Sequence, residues 1–195
     1  HGMPAGLYAD WNDCLRLGKD GESSFVAFQY YYAMTILKKF ASYKNDNAYI
    51  KYLDEKQEQL NSLLQKLCWN EDRFIRGFTE KGEVIGKRTD KEANMWLNPQ
   101  SWAVISGLAT DEQADIALNL VNERLNTDYG AVLMDPPYHL DAFDGALAVI
   151  YNAGVKENAG IFSQSQGWII LAEALCGHGE RAFTYFIENA PAAQN

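Results

Sequence analysis

Asp10 and Asp13 stand three residues apart with Trp11 and Asn12 between them. They lie in Gly6-Leu7-Tyr8-Ala9-Asp10-Trp11-Asn12-Asp13, a stretch too rich in glycine and polar residues to be a core helix. Two carboxylates flanking an indole suit sugar chemistry. The indole offers a flat apolar face to a pyranose ring. It also dries its surroundings, which raises the pKa of a nearby carboxyl and keeps it protonated as an acid. The same residues also fit a plainer description, an acidic loop that ends in a helix cap with one packed Trp.

Composition narrows the class. The chain has 195 residues, enough for one domain with a sizeable core. Its 5 Trp, 11 Tyr and 9 Phe are a high aromatic content, with most rings expected in the core and some lining a ligand surface. A formal net charge of −9 argues against nucleic acid as a partner, because phosphate contacts need clustered Lys and Arg. No apolar run is long enough to span a membrane. Cys14, Cys68 and Cys176 are too widely spaced for a disulfide framework or a zinc motif and fit a reducing cytoplasm. His1, His139 and His178 are too scattered to read as a metal site, and no cofactor is expected. No signal peptide is read here, and one on a preceding segment is left open.

The elements that must position the two carboxylates read as three helical hairpins. A helix over about 24–43 is apolar nearly all round in its first half (Phe25 to Met34), which marks it as buried. A short break at Lys44-Asn45-Asp46 leads to an amphipathic helix over about 47–67, with Tyr49, Leu53, Leu60, Leu64 and Leu67 on one face. The pattern recurs. Asn98-Pro99 places a capping Asn before a Pro, and Trp102 to Ile105 is a buried run that ends near Gly107. Thr110-Asp111-Glu112-Gln113 is a capping box opening a helix with the stripe Ala114, Ala117, Leu118, Val121 and Leu125. A third copy has Trp168 to Ala172 as its buried run and Gly177 at its end. Ala182, Phe183, Phe186 and Ile187 form the partner's apolar face. Gln100-Ser101-Trp102 and Gln166-Gly167-Trp168 are alike in character, as an internal repeat requires.

Turns within a pair are short, whereas the connections 68–97 and 126–163 are long. The first long connection holds a β-hairpin, Phe74-Ile75-Arg76-Gly77-Phe78 with Val84-Ile85-Gly86, joined at Lys81-Gly82. Stacked antiparallel hairpins gather the long loops, and the Asp10–Asp13 segment with them, at one end, where binding sites are usually built. The fold class is all-α. Three hairpins make about half of an (α/α)6 barrel, so the chain reads as a fragment unless it closes by dimerising or rearranging.

Three segments carry a family resemblance. His1-Gly2-Met3-Pro4-Ala5-Gly6-Leu7-Tyr8-Ala9-Asp10-Trp11-Asn12-Asp13-Cys14-Leu15-Arg16-Leu17-Gly18, with Gly21-Glu22-Ser23 before Phe25, resembles a catalytic segment. Asn98-Pro99-Gln100-Ser101-Trp102-Ala103-Val104-Ile105-Ser106-Gly107 resembles an inner helix, and Tyr151-Asn152-Ala153-Gly154-Val155-Lys156-Glu157-Asn158-Ala159-Gly160-Ile161-Phe162 an acceptor and phosphate loop. The family is glycoside hydrolase family 94, the inverting disaccharide phosphorylases, and its cellobiose-cleaving members above all. The resemblance covers essentially the whole chain.

The resemblance implies an (α/α)6 barrel, with phosphate reversibly cleaving a β-linked disaccharide, expected to be cellobiose, to an α-sugar 1-phosphate. It implies Asp13 as general acid, and Asp10 and Trp11 as holding the sugar whose anomeric carbon reacts. Tyr151, Lys156 and Glu157 would contact the acceptor. Phosphate attacks opposite the protonated leaving oxygen through an oxocarbenium-like transition state. Phosphate is already a nucleophile, so no general base is needed. Where relatives carry His-Thr, this chain has Gln164-Ser165, expected to hold phosphate by hydrogen bonds beside the positive end of a helix. The family's phosphate-binding arginines fall outside this segment. The expected partners are therefore a disaccharide and inorganic phosphate, with a homodimeric parent protein and an isolated chain that is inactive. Two alternatives stay open: a hydrolase-like relative using Glu157 or Asp144 as base for water, and a non-catalytic helical-repeat module that binds carbohydrate.

Overall fold

Three helices of the chain end in the same way, and this ending is what makes the repeat visible in three dimensions. In a computed structural model, residues 1–6, 8, 10–139 and 145–193 are described. Helix α1 (Ser24–Tyr43) is followed by α2 (Asn47–Cys68), α3 (Leu97–Ile105) by α4 (Asp111–Arg124), and α5 (Ser163–Leu175) by α6 (Gly179–Asn189). At the ends of α1, α3 and α5 the chain turns through a left-handed residue: Asn45, Gly107 and Gly177, with φ of 58°, 73° and 79°. In each case the next amide reaches back five residues: Asp46 to Ala41, Leu108 to Ala103, and His178 to Glu173. This ending satisfies carbonyls that a helix terminus would otherwise leave bare.

The helix starts follow local rules too. Ser23 caps α1 by accepting from the Val26 amide, and Asp46 caps α2 through Tyr49. Thr110 and Gln113 form the expected reciprocal capping box on α4. Asn98 is not a cap. Helix α3 begins one residue before it, because β6 (Met95–Trp96) pairs with β7 (Met134–Asp135) and the Leu97 amide extends that ladder to the Leu133 carbonyl. Pro99 then sits in the first turn, where its missing N–H costs nothing.

The hairpin packing follows the repeat. α1, α3 and α5 each contact their own following helix, and α3 contacts both α1 and α5. The stripe of α4 is buried as expected. On α2, Leu53, Leu60 and Leu64 are buried, but Tyr49 is exposed and Gln57 and Cys68 join the inner face. Gln57 is accommodated there by donating to Thr35 Oγ1 at 2.7 Å. Helix α6 departs most from expectation. Ala182 and Tyr185 face inward, Tyr185 fully buried and donating to Asn122 Oδ1, whereas Phe183 and Phe186 are 63% and 55% exposed. α1 is likewise not buried all round, since Tyr30 and, further along, Phe40 and Tyr43 face outward.

The strands are short. The hairpin is present as β4 (Gly77–Phe78) with β5 (Val84–Ile85), and β1 (Glu22–Ser23) adds to the free edge of β4. The expected first strand is split, since Arg73–Phe74 forms its own strand, β3, paired with β2 (Trp69–Asn70).

Two glutamines at equivalent positions tie these loops to the helices. Gln100, the fourth residue of α3, accepts from the Phe74 amide at 2.7 Å. It donates to the Phe74 carbonyl at 2.8 Å and to the Trp96 carbonyl at 2.9 Å. Gln166, the fourth residue of α5, repeats the clamp on Ala131, accepting and donating at 2.8 Å, and also donates to the Phe162 carbonyl. Each side-chain amide imitates a strand neighbour for a buried stretch of loop. Gln100→Leu would leave both backbone groups of Phe74 unpaired in the core, a loss of about 3 kcal/mol. Chemical denaturation checks this, and a change below about 0.5 kcal/mol would show that the clamp is incidental.

Candidate functional site

The acid loop is a small hairpin. Tyr8 and Gly18 pair across it, with the Tyr8 amide 3.1 Å from the Gly18 carbonyl and the Leu17 amide 3.0 Å from the Tyr8 carbonyl. Leu15 and Leu17 enter the core, and the Arg16 amide bonds to the Gly145 carbonyl at 2.7 Å. The turn itself is built by side chains that imitate backbone. Asp10 Oδ1 accepts from the Asn12 amide at 2.9 Å, and Asn12 Oδ1 from the Cys14 amide at 3.0 Å. This winding leaves Asp13 at the apex, exposed to solvent. Among the described residues Asp13 forms no ion pair, and its backbone carbonyl accepts from Arg16 Nε at 3.3 Å.

Asp10 points the other way. Its carboxylate is fully buried and meets the fully buried Arg76 guanidinium in a two-pronged pair, Nη1–Oδ2 and Nη2–Oδ1 both at 2.6 Å. Ser23 Oγ donates to Oδ2 at 2.5 Å while accepting from Arg76 Nη1 at 3.2 Å and capping α1. Burial alone would push the Asp10 carboxyl up. The Arg76 charge and the bonds from Arg76, Ser23 and Asn12 oppose this, and the net position is below the usual value of 3.8. Arg76 also lies 5.3 Å from the Trp96 ring and 5.9 Å from the Phe25 ring, so it joins the starts of α3 and α1. The resemblance implies that Asp10 holds sugar. In this chain both of its oxygens are bonded within the protein, and it fixes the loop from behind.

Trp11 leans on the start of α5. Its indole N–H donates to Gln164 Oε1 at 2.7 Å, and its ring meets Phe162 and Trp168 edge-on at 5.2 and 5.7 Å. Gln164 is exposed in the first turn, but Ser165 is not. Ser165 is fully buried and its hydroxyl donates to the Phe162 carbonyl at 2.9 Å, so it has no free face for an anion. Three helix starts therefore converge on the acid loop: α1 through Ser23, α3 through Trp96 and Arg76, and α5 through Gln164.

The loop 151–160 closes the other side. Buried Asn158 holds it, donating to the Tyr138 and Tyr151 carbonyls and accepting from the Tyr138 amide. Lys156 Nζ stands 4.9 Å over the Tyr151 ring, both near the surface. Glu157 lies close enough to Cys14 of the acid loop for its charge to act on the thiol. Burial, Glu157 and Asp13 together push that thiol up, so Cys14 is a poor nucleophile. Asp144, the other candidate base, lies outside the described residues.

Arg76 and Ser23 escaped the sequence reading as site residues. The available signal was a lone charge inside the apolar run Phe74-Ile75-Arg76-Gly77-Phe78. An arginine there must either break the strand pattern or find a buried anion.

All of residues 1–195 match the catalytic domain of the glycosyl hydrolase 94 superfamily, and the chain belongs to that family. It is 33% identical over 196 residues to an N,N'-diacetylchitobiose phosphorylase of Vibrio proteolyticus, across 100% of this chain and 24% of that protein. A cellobionic acid phosphorylase of Neurospora crassa is 30% identical over 187 residues, covering 93% of this chain and 24% of the relative. A solabiose phosphorylase of Paenibacillus borealis is 29% identical over 196 residues, covering 98% of this chain and 25% of the relative. The chain thus spans about a quarter of the length of these relatives. Among the described residues no helix is long and apolar enough to cross a membrane.

The buried pair has a signature in acid. Because the Asp10 pKa is lowered in the folded state, its contribution is present above the ordinary carboxylate value and disappears as pH falls through the lowered one. Asp10→Asn leaves Arg76 charged and buried, and is expected to lose about 3 kcal/mol at neutral pH. The gap from the unmodified chain should narrow below about pH 4. Urea unfolding against pH measures it, and a gap that stays constant through the acid range contradicts the assignment.

Proposed function

We propose that this chain is part of the catalytic domain of a phosphorylase that cleaves a β-linked disaccharide with inorganic phosphate and inverts the anomeric carbon. The segment 1–195 is read as the C-terminal part of an (α/α)6 barrel, with three of its hairpins and the acid loop at the end where the inner helices begin. One observation carries the reading. Asp13 is the free carboxyl at the apex of a turn whose other carboxyl, Asp10, is fixed by a buried arginine.

In this reading Asp13 protonates the glycosidic oxygen of the leaving sugar. Phosphate attacks the anomeric carbon from the opposite face, and one carboxyl suffices because the nucleophile needs no deprotonation. Trp11 supplies the wall beside the reacting sugar. Tyr151, Lys156 and Glu157 face the leaving sugar, and Gln164 with the first-turn amides of α5 faces phosphate. Asp10 acts through the loop and not on the sugar. In this chain Asp13 is exposed, so the dry surroundings that favour its acid form must come from bound substrate and from the remainder of the parent protein. Cellobiose is the substrate we assign, on the motif resemblance. The parent is read as a cytoplasmic homodimer, and the isolated chain as inactive because half the barrel is missing.

The test is product analysis of the parent protein with phosphate and a panel of β-linked disaccharides that includes cellobiose. The expected product is an α-sugar 1-phosphate, and Asp13→Asn should lower its rate by about a thousandfold. Free glucose without sugar phosphate, or full activity in Asp13→Asn, would overturn the reading.

A further inference from the structure

A cleft of about 470 Å³ opens between the base of the acid loop and the turn that joins β4 to β5. Tyr8, Arg16 and Gly18 line it from the loop, and Glu80, Lys81 and Glu83 from the turn. None of the residues used in the proposed reaction lines it. Its two sides are locked together. The Glu80 amide donates to the Leu17 carbonyl at 2.7 Å, and the Lys19 amide to Glu80 Oε2 at 2.9 Å. Gly18, at φ 90°, gives the Glu80 side chain its room, since a Cβ there would lie 2.3 Å from Glu80 Cδ. The turn is closed in its own right. The Thr79 amide donates to the Glu83 carbonyl at 2.9 Å, and the Glu83 amide to Thr79 Oγ1 at 3.1 Å. The cleft is therefore preformed, as ligand sites usually are.

Tyr8 is the unusual residue in it. Its φ is 82°, a left-handed backbone that disfavours a bulky side chain. The hairpin bonds of its amide and carbonyl hold it there. Packing does not compensate, because Tyr8 is 55% exposed. Strain of this kind in an exposed aromatic points to a ligand. The charges of the cleft name the class. Arg16 and Lys81 balance Glu80 and Glu83, which favours a neutral ligand over an anion or a cation. Arg16 uses Nε on the Asp13 carbonyl, and its Nη1 and Nη2 meet no acceptor among the described residues. An aromatic face beside free donors and carboxylate acceptors suits a ring that is apolar on its faces and hydroxylated at its rim. A β-glucosyl unit has that shape, because all its hydroxyls are equatorial.

We propose that this cleft is a second saccharide site, separate from the reacting one, which takes a neutral β-linked glucosyl unit. The Tyr8 ring stacks on the pyranose face. Arg16 donates to the hydroxyls at its rim, and Glu83 accepts from them. The site stands independently of the phosphorolysis proposed above, since its residues take no part in that reaction. Affinity electrophoresis of the parent protein tests it, in native gels with and without a soluble mixed-linkage β-glucan. Phosphate is left out and Asp13→Asn is the background, so that the polymer is not consumed. The glucan should retard the protein with a dissociation constant of about 1 mM in glucosyl units, and Trp11→Ala and Tyr8→Phe should keep that retardation. Tyr8→Gly should weaken it by about tenfold or more. Glycine accepts the left-handed backbone, so Tyr8→Gly should leave the urea midpoint unchanged or raise it, and lost binding is then not lost folding. No retardation by the glucan, retardation lost in Trp11→Ala, or retardation kept in Tyr8→Gly overturns the proposal. A lower urea midpoint in Tyr8→Gly also overturns it, because the ring is then there for packing.

Discussion

A guanidinium and a carboxylate, both without solvent exposure, hold this molecule's functional end together. Arg76 could not be buried without an anion, and Asp10 could not be ionised in the same place without a cation. Each is the condition for the other. The pair also fixes geometry, because two parallel hydrogen bonds allow one relative orientation of the groups. Since Asp10 opens the acid loop and Ser23 opens α1, that orientation passes to the apex residue Asp13 and to α1. An exposed acid is thus positioned by a buried one, three residues away.

The rest of the fold can be read as support for that arrangement. The two glutamine clamps hold the long loops against the starts of α3 and α5. The repeated left-handed helix endings make the opposite turns short, so that long connections accumulate at the site end. Among the described side chains, the rings of Phe25, Trp102 and Trp168 run between α1, α3 and α5 and reach Trp11. Membership in the glycosyl hydrolase 94 superfamily gives this arrangement a chemical setting.

Much of the helical scaffold was legible from sequence, because its signals are local. The capping box at Thr110, the glycine endings at Gly107 and Gly177, and the stripe of α4 each depend on neighbours within a turn or two. The matching Gln-Ser-Trp and Gln-Gly-Trp segments announced a repeat, though not the clamp that explains it. Helix α6 misled because it is apolar on two sides. Periodicity ranks Phe183 and Phe186 above Ala182, but it cannot see that Asn122 on α4 offers Tyr185 a hydrogen-bond partner. The start of α3 was misplaced because a strand ladder, a tertiary feature, satisfied the Leu97 amide.

Asp13 and Trp11 were singled out because their types suggest chemistry, and Gln164 because of its place in the motif. Arg76 was missed because its partner lies 66 residues away, and no spacing rule links them. Asp10 and Ser165 were given ligand roles by position in a motif, and both are buried and bonded within the protein. The central claim is that Arg76 acts on the reaction through the acid Asp13. A substrate that needs no acid tests it most directly. β-Glucosyl fluoride releases fluoride without protonation, so Arg76→Met in the parent protein should slow cellobiose phosphorolysis by about a hundredfold and fluoride release only about threefold. Equal slowing of the two reactions would contradict the account.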